Sequence, residues 1–145
     1  MNKFNNSVAR YLILLVLFQS YSTLCVAADY SLGVTSKVLT KTSITGNGRK
    51  IVYPSTDNAE VTAMLVEIAP GAETGWHKHS IPVYAYIISG NLDVEIEGGS
   101  VLHFKTGDPI IEVLNTPHNG KNNGRNTSQL VVFYTGMKDV PNVIK

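Results

Sequence analysis

The chain has 145 residues, enough for one hydrophobic core and too few for two. Apolar residues make up 43% and charged residues 16%, a balance that favours a packed interior over a disordered chain. Twelve basic residues stand against eleven acids, a formal charge of +1, so there is no field of the kind that draws nucleic acid or an anionic membrane surface. Neither partner is expected.

The N-terminus has the three parts of an export signal in order. Lys3 and Arg10 are followed by an apolar run at 11–18, then by small residues around Cys25, Val26, Ala27 and Ala28. A bilayer span needs about 18 apolar residues, and Gln19, Ser20, Ser22 and Thr23 interrupt this run too early. Residues 1–28 therefore read as a cleaved signal peptide, leaving a domain at 29–145 that is periplasmic or secreted, with no stable membrane insertion after cleavage. Leu24 is bulky where a lipoprotein site has a small residue before its Cys, which weighs against lipidation at Cys25. Because Cys25 is the one cysteine, the mature chain has no thiol for disulfides, metal ligation or nucleophilic attack. Imidazole, carboxylate, hydroxyl and amide groups must carry any chemistry.

From residue 37 onward the pattern is short period-two runs separated by turn residues, and it predicts an all-β domain. Segments 38–40 and 51–53 are β-prone pieces flanking Gly46, Asn47 and Gly48, and 61–68 is a longer run closed by Pro70 and Gly71. Segment 83–88 is apolar on both faces, as in a buried wall strand or a subunit contact. In 92–97, Leu92, Val94 and Ile96 share one face while Asp93, Glu95 and Glu97 share the other, which reads as a solvated face and not a metal cage. Segments 101–104, 109–114 and 130–134 complete a set of roughly eight strands, the count of a sandwich or small barrel. Asn126-Thr127-Ser128 is formally a glycosylation acceptor with no bearing on this reading.

The chemistry-bearing residues are four histidines. His77 and His79 stand at i and i+2, which on a strand puts both rings on one face within reach of one ion. His103, between Leu102 and Phe104, is expected on an opposite, uninvolved face.

The context of this pair resembles the first motif of the cupin superfamily: Gly, five residues, His-x-His, three or four residues, Glu, six residues, Gly. Gly71, His77, His79 and Gly90 fall at that spacing. The second cupin motif is similar to the stretch holding Gly107, His118 and Asn122, with Asp108 after its Gly. The resemblance covers about 61–134 and implies a single cupin (jelly-roll-like) β-barrel. Three departures stand out, since the motif's Glu is Val83 and the Pro and Gly of the second motif are Val113 and Asn115. The resemblance is closest to small single-domain cupins whose first motif runs Trp-His-x-His followed by Pro and Tyr, matching Trp76, Pro82 and Tyr84 or Tyr86.

By that resemblance the metal ligands are His77, His79 and His118, holding one divalent ion, either Fe, Zn, Mn, Ni or Cu. Without the motif carboxylate the ion keeps its full charge, which favours a small anionic molecule at an open position. Trp76, Tyr84, Tyr86, Glu112 and Asn122 are candidate substrate-binding residues; Glu112 is either a stand-in for the missing carboxylate or a structural Glu, and Asn122 suits a loop-fixing role. The sequence leaves open a metal-dependent oxygenase or isomerase and, alternatively, a non-catalytic small-ligand or metal-binding module, because no general base is evident. The two-sided apolar pattern of 83–88 also predicts a homodimer.

Overall fold

Period-two patterning becomes seven antiparallel strands in a computed structural model that describes residues 32–145; the export segment at 1–28 lies outside the described residues. The strands are β1 (Ala59–Ile68), β2 (Val83–Ser89), β3 (Asn91–Ile96), β4 (Ser100–Lys105), β5 (Pro109–Ile111), β6 (His118–Lys121) and β7 (Ser128–Met137). They form a four-stranded sheet in the order β1-β7-β2-β5 and a three-stranded sheet in the order β4-β3-β6. No helix among the described residues is long and apolar enough to cross a membrane.

The core lies between the sheets because the inward residues of both are aliphatic. Val83, Ala85 and Ile87 of β2, Leu130, Val132 and Tyr134 of β7, and Ile110 of β5 meet Leu92, Val94 and Ile96 of β3. The alternation read in 92–97 is thus realised. Its polar side is a set of exposed or half-buried pairs: Asp93 accepts from Asn123 and lies 2.7 Å from the His103 ring opposite it in the ladder, and Glu95 lies 3.1 Å from Lys121.

Three local expectations are corrected. Residues 38–40 and 51–53 form no strand; only an Ile44–Lys50 bridge closes the turn between them, and Val38, Leu39, Val52 and Tyr53 stay exposed for want of a strand to pair with. The 109–114 run is a strand only to Ile111; beyond it the Glu112 N–H still donates to the Val83 carbonyl, and the chain turns at Asn115, whose φ of 52° is left-handed. In the other direction, His118-Asn119-Gly120-Lys121 has no β signature, yet it is a strand because β3 templates it, pairing Ile96 with His118 and Val94 with Gly120.

The motif positions are backbone requirements. Gly90 has φ 84°, and a Cβ there would stand 2.8 Å from the Ser128 Cα, so both the turn and the close approach of β7 exclude a side chain. Asn115, standing where the motif has Gly, adopts the left-handed conformation that Asn tolerates best among residues with a side chain, and its N–H donates to the His79 carbonyl at 2.8 Å. The loop is therefore kept without its glycine.

Candidate metal centre

His77 and His79 do not lie on a named strand. They sit in a short bridged segment, where His77 pairs with His118 through two backbone hydrogen bonds of 3.0 and 2.8 Å and Lys78 pairs with Ile144 through two of 2.9 Å. The first pair places two imidazoles side by side across a ladder. The second clamps the segment with the C-terminal residues.

The three rings converge. Ring centroids are 4.4 Å apart for His77 and His118 and 5.0 Å for each pair involving His79, and one ring nitrogen from each lies within 4.8 Å of the other two. Each ring is oriented by its other nitrogen. Nδ1 is 2.7 Å from the Gly75 carbonyl in His77, 2.6 Å from the Asn142 carbonyl in His79 and 3.0 Å from the Thr116 carbonyl in His118. A carbonyl only accepts, so each Nδ1 carries the proton and each Nε2 keeps a lone pair for the site. Burial lowers all three imidazole pKa values, that of His79 to about 4, so the rings are neutral at neutral pH and ready to ligate.

The Nε2 of His118 is buried with no hydrogen-bond partner. A buried unpaired acceptor costs free energy, and a metal is the partner that matches a lone pair flanked by two others. The three histidines thus fit a divalent ion by donor type, tautomer, protonation state and convergence. The cavity they line measures about 70 Å³ and is otherwise walled mostly by apolar side chains, among them Val66, Val83, Leu92, Leu130 and Val132, with Thr74 and Glu112 as its polar members and Tyr134 against His79 at a centroid distance of 5.6 Å.

Of the other candidates, one reaches this cavity. Glu112 lies beside His118, its Oε2 3.6 Å from Nε2. Burial pushes its carboxyl pKa up to about 7, partly offset by the nearby His77 and by the N–H of Val113. Trp76 is half exposed and borders a surface groove with Glu95, Glu97 and Val101. Tyr84 donates its hydroxyl to Tyr53 at 2.8 Å, and Tyr86 is exposed on the outer face of its sheet. Asn122 is fully buried and ties a loop, donating to the carbonyls of Ile68 and Asn126 and accepting from the N–H of Gly124. His103 is exposed, outside the cavity. Sequence reasoning missed the parts that align the site: Tyr134 was readable as an inward residue of β7, but the Asn142 carbonyl carried no signal because any residue supplies one.

Residues 64–134 match the family model described as Cupin domain, which makes that stretch a cupin-type small domain. Among solved structures, the chain is similar to the cupin domain of Schizosaccharomyces pombe Cnp3, at 17% identity over 59% of this chain and 61% of that one, with a TM-score of 0.50. It is similar to Lactobacillus farciminis oxalate decarboxylase in its formate complex, at 20% identity over 59% of this chain and 26% of that one, TM-score 0.51. A third similar structure is the DMSP lyase DddQ from Ruegeria pomeroyi, at 19% identity over 59% and 42%, TM-score 0.50. The chain spans less than two thirds of the length of each, and at these identities the likeness is one of fold. No curated protein matches the chain in sequence.

The buried carboxyl sets a pH dependence for the metal-free protein. A group whose pKa rises from 4.5 to about 7 on folding contributes stability that is full below 4.5 and lost as pH rises through 7. Glu112→Gln removes that loss. The metal-free variant is expected to exceed the wild type by an amount of order 2 kcal/mol at pH 8, with the gap closing as pH falls to 4.5. Urea denaturation across that range checks it; equal stabilities at pH 8 would show that the carboxyl is not under this strain.

Proposed function

We propose that this protein holds one divalent metal on His77, His79 and His118 and presents it to a small anionic molecule. The observation that carries the reading is the convergence of three neutral imidazoles on one point, with the His118 Nε2 buried and unpaired. Which first-row metal it prefers depends on supply and on ligand number as much as on the rings, and Fe, Zn, Mn, Ni and Cu all accept imidazole.

The ligand class follows from charge and room. Three neutral donors leave the ion's double charge uncancelled by the histidines, so an anionic head group gains most by binding there. A cavity of about 70 Å³ is far below the roughly 300–1,000 Å³ of sites for drug-sized molecules. It suits a molecule of a few heavy atoms, and its aliphatic wall strengthens the attraction between ion and anion by excluding water. Oxalate decarboxylase, a similar fold seen with formate, is consistent with that class. When bound, the metal would supply Lewis acidity; the chain's own residues orient the rings, keep them deprotonated and exclude solvent.

The same reading takes the protein as exported, on the order of basic, apolar and small residues at 3–28. It also takes it as a homodimer. Support comes from the outer face of the four-stranded sheet, where Val61, Leu65, Tyr86, Ile88 and Phe133 are exposed. Mass spectrometry of the extracytoplasmic fraction should find a chain beginning near residue 29, and sedimentation at micromolar concentration should give twice the protomer mass. An intact Met1 species or a monomer would remove the corresponding part alone.

The main test is metal content after purification and reloading. About one ion per protomer is expected for the wild type and for His103→Ala, and less than a tenth of that for His77→Ala, His79→Ala or His118→Ala, since two donors hold an ion poorly against buffer. In the cobalt-loaded protein, acetate or oxalate should shift the visible absorption. Equal loading of the His103 and His118 variants would sink the assignment of the site.

A further inference from the structure

The departure at Val83 and the position of Glu112 are two ends of one ladder. β2 and β5 pair in register, with Tyr86 opposite Pro109, Ala85 opposite Ile110 and Tyr84 opposite Ile111. One step further puts Glu112 opposite Val83, and the Glu112 N–H donates to the Val83 carbonyl at 3.0 Å. Residues opposite one another on antiparallel strands project from the same face with Cβ atoms about 5 Å apart. Val83 and Glu112 accordingly both line the cavity of the three histidines.

The separation between Glu112 and His118 is informative. At 3.6 Å, Oε2 and Nε2 are too far apart for a hydrogen bond, and Nε2 has no other partner. Two donors each about 2.1 Å from one ion at a tetrahedral angle stand roughly 3.4 Å apart. To His118 the gap has the size of a shared ligand edge; the cluster within 4.8 Å holds the three histidines without Glu112, so its carboxylate must swing toward the other two rings to complete the shell. A carboxylate in this largely apolar cavity carries a desolvation cost that the nearby His77 and the Val113 N–H offset only in part.

We propose that Glu112 is the fourth protein ligand of the metal, a carboxylate supplied from the strand next to the one on which the cupin motif carries it. The inference rests on the three-histidine reading above. Val83 and Glu112 are then a transposed pair: the motif position has become aliphatic wall, and its cross-strand neighbour has taken over the donor. The substitution of Val113 for the motif's Pro fits this arrangement, since Pro would remove the N–H beside the carboxylate. With the ligand set at three imidazoles and one carboxylate, the loaded site retains a net single positive charge for an anionic molecule.

The test uses Zn(II) affinity, measured by competition with a chromophoric chelator, and the visible spectrum of the Co(II)-loaded protein. The set is the wild type, His118→Ala, Glu112→Gln and the double variant Val83→Glu with Glu112→Val, each checked for a folded metal-free state by its thermal melt. Glu112→Gln should weaken Zn(II) by more than the roughly 10- to 100-fold that loss of an outer-shell partner brings, and should change the Co(II) band intensities. The double variant should recover affinity to within about tenfold of the wild type, because the carboxylate is returned to the same face. If Glu112→Gln keeps the wild-type affinity and spectrum while His118→Ala loses metal, Glu112 is not a ligand and the three-histidine site stands. A double variant that binds no better than Glu112→Gln overturns the transposition. A folded wild type that takes up no Zn(II) or Co(II) overturns this inference and the metal reading together.

Discussion

Three backbone carbonyls hold the site in the state it needs. Gly75, Thr116 and Asn142 each accept from an Nδ1, and together they fix one tautomer for His77, His118 and His79, turning every Nε2 toward the same point. Burial then keeps the rings uncharged by penalising the imidazolium form. Much of the surrounding structure serves those three bonds. The His77–His118 bridge sets the two rings side by side, the Lys78–Ile144 bridge brings the Asn142 carbonyl to His79, and Asn115 in its left-handed turn binds the His79 carbonyl.

The departures from the cupin motifs are of two kinds. Asn115 for Gly is a conformational equivalent, because the position demands positive φ and Asn reaches that region at low cost. Val83 for Glu changes the chemistry of the position outright, and its meaning appears only when the ladder is seen, since Glu112 lies 29 positions along the chain and directly across the strand pair. A motif is a one-dimensional record of a three-dimensional requirement. On the proposal that Glu112 is a ligand, the requirement is a carboxylate on one face of the cavity, and the cross-strand position supplies it.

The all-β class, the alternation in 92–97 and the His77–His79 pair were legible in the sequence because each rests on local periodicity or spacing, whereas His118 joined them only through the resemblance to the second cupin motif. Strand β6 was not legible, as its His-Asn-Gly-Lys composition has no strand preference and its pairing comes from β3 on one side and the bridged 73–77 segment on the other. The β-prone pieces at 38–40 and 51–53 failed for the converse reason: propensity without a partner strand makes no ladder. Among the candidate ligand-binding residues, Tyr84 and Tyr86 stand on β2 beside inward-facing Val83 and Ala85, but the sheet directs Tyr86 outward and Tyr84 to Tyr53. Aromatic residues next to a motif say little about direction until the register is known.

The central claim is that three Nε2 atoms, one of them otherwise orphaned in the core, share a metal ion. X-ray absorption at the zinc edge of the reloaded protein reads the ligand shell directly. The account predicts three imidazoles at about 2.0–2.1 Å with at least one oxygen at about 2.0–2.2 Å. A shell of fewer than three imidazoles, or one made only of water and carboxylate oxygen, would contradict it.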